Sequence, residues 1–142
     1  VYKRQLLISD DVVAMQKRTD DEVFVLTSMN NNCHLYLFNY LDNSTYEPHA
    51  SVPQGAFYDM CVIDPDEVIL SHSSGLMRFT LNNNSMVTVS SDVATQMEYD
   101  QLSGTIYANV NNAIHLFDHL GNTGGSITSG INVSSFALYY NK

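Results

Sequence analysis

A block of about 40 residues recurs along this chain, and that period constrains the fold more than any other feature. Met15, Met60 and Met97 stand 45 and 37 residues apart, and Phe136 lies 39 further on. Phe38, Phe79 and Phe117 stand 41 and 38 apart. Within each block, short runs of β-branched and aromatic residues alternate with clusters of Asn, Ser, Asp and Gly. Glu22-Val23-Phe24-Val25-Leu26-Thr27 is answered in type by Glu67-Val68-Ile69-Leu70-Ser71-His72. Such runs are strand signals, because branched and ring side chains fit a half-buried pleated surface. Asn30-Asn31-Asn32, Ser73-Ser74-Gly75 and Asn111-Asn112 are turn signals between them. Asn and Gly tolerate left-handed backbone, and short polar side chains bond their own main chain.

Four strands per block of this length are the mark of a β-propeller blade. Ser9-Asp10 and Met15 superpose on Ser91-Asp92 and Met97 at a common offset of 82, which extends the pattern upstream. Residues 6–9 therefore read as an outer strand of a preceding blade. Blades follow at 12–52, 56–90 and 94–129, then an inner strand at 131–140. The expected fold is all-β: a partial β-propeller of about three four-stranded antiparallel blades from a larger ring. A β-sandwich also has short strands at regular spacing, but it does not require matching turn chemistry at a fixed period. Helical repeats conflict with the alternating runs and the density of turns. On the third strands, Tyr36, Arg78 and His115 are expected to share one slot.

The formal charge of -9 narrows the partners. An acidic chain repels phosphate backbones and anionic lipid, which argues against nucleic acid and against a membrane surface. No apolar run approaches the roughly 20 residues that span a bilayer. Cys33 and Cys61 sit in or beside apolar runs and read as buried free thiols. Val1-Tyr2-Lys3-Arg4-Gln5 resembles the translated end of a sequencing adapter and is set aside from the fold. Without Lys3 and Arg4 the charge moves from -9 to -11, and the chain is expected to begin inside a repeat. Asn-x-Ser/Thr sequons occur at Asn43, Asn83 and Asn132, as the abundance of Asn, Ser and Thr would give by chance.

Gly104-Thr105-Ile106-Tyr107, followed by Asn111 to Asp118 and Gly121, resembles the NHL-type repeat. Earlier blades match in outline, through Asp64 with Glu67 to Leu70 and Leu76 to Phe79, and Asp21 to Val25 with Leu35 to Phe38. They lack the closing Asp and Gly, and no blade carries the Trp-Asp pair of WD repeats. The resemblance implies a ring of about six to eight blades whose inner strands line a channel. Three blades alone would leave two apolar blade faces open, a liability for self-association.

The blade pattern sorts the loops onto two rims. Asp10, Asp11, Asn30, Asn31, Asn32, Ser73, Ser74, Asp92, Asn111 and Asn112 are expected on one rim. Propeller families bind ligands there by resemblance, and such groups hydrogen-bond sugars or peptides; they are also the best turn formers. Asp20, Asp21, Glu22, Asp64, Asp66, Glu67 and Asp100 recur on the other rim. No cofactor is expected, and Ca²⁺ is the one ion whose oxygen chemistry suits those acids. No paired-His, CxxC, nucleophile-elbow or phosphate-loop spacing occurs, so no catalytic residue and no metal ligand is named. The expected function is a non-catalytic binding or scaffold propeller for a protein, peptide or glycan, its partners including the remaining blades. The alternative is part of a calcium-dependent lactonase or hydrolase, or of a sugar-dehydrogenase propeller, with Asp59, Glu98 and Asn132 facing the channel.

Overall fold

The computed structural model describes residues 10–48, 52–128 and 133–139. The adapter-like Val1 to Gln5 and the strand expected at 6–9 lie outside the described residues, as do His49, Asn132 and Tyr140. Among the described residues, twelve strands form three four-stranded sheets. The first holds β1 (Asp11–Lys17), β2 (Glu22–Met29), β3 (Asn32–Asn39) and β4 (Ser44–Tyr46). The second holds β5 (Phe57–Asp64), β6 (Glu67–His72), β7 (Gly75–Thr80) and β8 (Ser85–Ser90). The third holds β9 (Met97–Asp100), β10 (Thr105–Val110), β11 (Ala113–Phe117) and β12 (Thr123–Ile127). Each sheet is an antiparallel meander in chain order, the arrangement of a propeller blade. No helix among the described residues is long and apolar enough to cross a membrane.

The turns follow from their residues. β2 and β3 pair up to Met29 and Asn32, so Asn30-Asn31 is a two-residue hairpin turn. β10 and β11 pair up to Val110 and Ala113 around Asn111-Asn112. All four Asn have positive φ, 52° and 66° in the first turn and 51° and 63° in the second. That geometry matches the right-handed twist of the flanking strands, and Asn adopts it more readily than other residues with a Cβ.

The sheets stack face to face through two apolar layers. Phe24, Leu26, Leu35 and Leu37 of the first sheet meet Met60, Leu70, Met77 and Phe79 of the second. Cys61, Ile69 and Leu76 on the other face of that sheet meet Met97, Ile106, Ala108 and Phe117 of the third. Phe24, Phe79 and Phe117 are almost wholly shielded, each worth about 2 to 3 kcal/mol of transfer free energy. Cys33 and Cys61 are buried free thiols. The face of the first sheet turned away from the second exposes Val12 and Met15, at 54% and 60%.

Strand register corrects the repeat in detail. Counted from the hairpin turns, His34, Met77 and His115 share one slot, each two residues into its third strand. Arg78 lies on the opposite face, beside Leu76, while Tyr36 aligns with Phe79 and Phe117. The first hairpin is longer, with eight-residue strands against six in β6 and β7, so Phe38 and Met15 fall two residues out of step. Met15, on the open face of the first sheet, is exposed, where Met60 and Met97 are buried against a neighbouring sheet. A second correction concerns residues 133–139, which form no strand. Their described polar partners are the side chains of Gln96 and Asn109 and the Asn112 carbonyl, so no ladder builds. Likewise the outer strand of the first sheet is only Ser44–Tyr46.

Candidate binding rim and channel groove

One polar side chain per junction ties each inner strand to the next. Gln16 donates through Nε2 to the Met60 carbonyl at 2.6 Å and accepts at Oε1 from the Val62 amide at 3.0 Å. Asp59 Oδ2 accepts from the Met97 amide at 2.6 Å, while its Oδ1 accepts from Met60 N at 2.8 Å. Gln96 repeats the amide bridge on Phe136 O and N at 2.6 and 3.1 Å. Nearer the turn rim, Ser71 Oγ bridges both backbone groups of Ala94, and Asn109 Nδ2 donates to the Val133 carbonyl. Asn109 Oδ1 is buried with no partner among the described residues.

Asp59 thus serves a backbone junction. Burial pushes its carboxyl above the ordinary carboxylate range, against the two amide bonds, and the nearby Glu98 charge adds to the rise. A raised folded-state pKa means the native chain holds that proton more tightly than the unfolded chain. This contribution is therefore present below the ordinary carboxylate pKa and is lost as pH rises through the raised value. Asp59→Asn should remove that part of the pH dependence, while an amide oxygen still accepts from Met97 N. Urea titrations of both forms at several pH values from acid to neutral should show the wild type losing ground relative to the variant as pH rises. Parallel curves would contradict the assignment.

The residues expected on the turn rim do lie at one end of the three sheets, but mostly within their own blades. Asp10 lies 3.4 Å from Thr27 Oγ1 and 3.8 Å from His34 Nε2. Asp92 stands 3.8 Å from His115 Nδ1. Asp11 is exposed at the start of β1. Ser73 N donates to Ala56 O, and Ser74 Oγ lies 2.7 Å from Nδ1 of the buried His72. His72 Nε2 faces Gln54 O at 3.1 Å while Nδ1 accepts from Ser74 N, the pattern of the Nε2–H tautomer. Carbonyls of Asn31 and Asn112 accept from Gly55 N and Val133 N. Asn30 and Asn111 complete the turns.

What the rim adds is a hollow of about 400 Å³ lined by Asn31, Asn32, His34, Glu47 and Gln54, with Cys33 and Val52 beneath. His34 Nδ1 meets Glu47 Oε1 at 2.8 Å and its ring stacks on Tyr36, with centroids 5.5 Å apart. The carboxamides of Asn31, Asn32 and Gln54 make no side-chain bond among the described residues. His34, Glu47 and Gln54 were not picked out by spacing, because their meeting depends on the fold of the segment between β4 and β5.

On the other rim the acids other than the exposed Asp21 are engaged. Asp20 pairs with Lys17, Arg18 with Glu22 and Asp66, and Glu67 with His119. Asp64 and Asp100 accept amides two residues on, as turn acids do. Among the described residues no three His, Cys, Asp or Glu side chains converge as a metal would require. A larger groove, about 890 Å³, opens at this end between the inner strands.

No protein-family model and no curated protein sequence matches the chain. Solved structures do match its fold. The chain is similar to the tricorn protease, with a TM-score of 0.60 at 14% identity over 75% of this chain and 12% of that one. It is also similar to the extracellular domain of the proposed one component system BT4673 from B. thetaiotaomicron. There the TM-score is 0.62 at 13% identity, over 81% of this chain and 16% of that one. The chain therefore spans less than a sixth or so of either neighbour, and what it shares with them is the propeller-type fold.

Proposed function

We propose that these blades belong to a non-catalytic binding propeller that recognises a neutral, hydroxyl-rich ligand, a glycan, in the rim hollow beside His34. One observation carries this reading: Asn31, Asn32 and Gln54, whose side chains make no hydrogen bond among the described residues, line the hollow next to a His34–Glu47 pair. A carboxamide offers a donor and an acceptor side by side, which suits vicinal hydroxyls. The likeness of Gly104 to Gly121 to the NHL-type repeat is in line with a ring that works by binding. Further blades, packed on the open face that bears Val12, complete the scaffold.

The test is an array of neutral oligosaccharides followed by calorimetry on the best binder. Asn32→Ala and His34→Ala should each weaken binding about three- to tenfold, the worth of one hydrogen bond. Binding unchanged by both would sink the hollow as the site. Chemical turnover of the sugar would favour the enzyme alternative.

A further inference from the structure

At the end of the stack opposite the turn rim, the inner strands open into the groove of about 890 Å³. Two cations line it, and both are matched. Lys17 Nζ lies 2.6 Å from Asp20, and Arg18 is held by Glu22, Asp66 and the Pro65 carbonyl. Glu98 is left over: it makes no hydrogen bond or ion pair among the described residues. Its charge reaches neighbours, adding to the burial that pushes up the Asp59 carboxyl and the Cys61 thiol. Beside it the groove presents apolar side chains to solvent, Leu102 at 86% and Met15 at 60% exposure. An uncompensated carboxylate between exposed apolar groups, in a chain of charge -9, fits a cation with apolar flanks.

We propose that this groove receives a segment of a partner polypeptide in which a lysine or arginine is flanked by apolar residues. The cation sits on Glu98, and the flanking side chains cover Met15 and Leu102. This surface is separate from the glycan hollow, at the other end of the strands, and does not rest on it.

The experiment is fluorescence anisotropy on the full chain at about 0.15 M salt, where long-range attraction is screened. The probe is a labelled peptide of alternating leucine and lysine, compared with the same peptide acetylated on every lysine. Saturable binding is expected, weakened about tenfold by acetylation and about tenfold by Glu98→Gln. Leu102→Ser should cost about threefold, and its exposure makes it safe for the fold. Asp21→Asn makes the same charge change on an exposed residue outside the groove and should leave affinity within about twofold. Equal losses from Asp21→Asn and Glu98→Gln would reduce the effect to bulk charge and overturn the proposal. So would unsaturable binding, or full affinity in Leu102→Ser. Sugar binding in the His34 hollow is read independently, so either site can fail alone.

Discussion

Gly75→Ala should lower the unfolding free energy by about 3 kcal/mol, the largest effect of any single change considered. Gly75 opens β7 with φ at +131°, a conformation that residues with a Cβ rarely adopt. An added Cβ would also collide with the Ser90 carbonyl oxygen and stand 3.1 Å from Ser91 Cα. Both are backbone atoms at the end of β8, so no flexible side chain can move aside. Gly104 is the internal comparison: its φ is +68°, but a Cβ there meets nothing within 4 Å. Gly104→Ala should therefore cost only the left-handed backbone term, about 1 kcal/mol. Urea unfolding followed by circular dichroism measures both. Equal costs at the two positions would mean that β7 does not start against the end of β8.

Ser71→Ala should cost about 2 to 3 kcal/mol although it removes a single oxygen. Ser71 is fully buried, donates to Ala94 O at 2.6 Å and accepts from Ala94 N at 3.0 Å. Alanine leaves both backbone groups of a buried residue without a partner. That desolvation penalty, and the loosening of the second sheet from the third, sets the magnitude. The same change at Ser85, on the outer strand β8, should stay within about 0.5 kcal/mol. A cost below that at Ser71 would deny the bridge.

The blade architecture was legible because period, strand composition and turn chemistry all point one way. Asn30-Asn31 and Asn111-Asn112 became the hairpin turns that their residue types demand. Exact register was harder to see. A hairpin two residues longer per strand keeps every apolar side chain on its face, so Met15 and Phe38 looked aligned while lying two positions out. Tyr36 was grouped with His115 by the same slip, whereas Arg78 lies one residue out and on the opposite face. The junction side chains were visible in principle, as lone polar residues inside apolar runs: Gln16, Asp59, Ser71 and Asn109. They differ in type from blade to blade, so no repeat exposed them. Asp59 looked like a channel acid from sequence, and its two backbone bonds make it a junction residue. The His34–Glu47 contact joins residues 13 apart through an irregular segment, which no strand periodicity encodes.

Amide hydrogen exchange at Val62 and Met97 tests the stacked-blade account most directly. Each amide points away from its own sheet's ladder and is covered only by a side chain of the preceding sheet, Gln16 Oε1 for Val62 and Asp59 Oδ2 for Met97. The expected result is slow exchange at both, with Gln16→Ala accelerating Val62 at least about tenfold and leaving Met97 unchanged. Rapid exchange at both amides in the unmodified chain, or a Val62 rate indifferent to Gln16→Ala, would contradict the stacking.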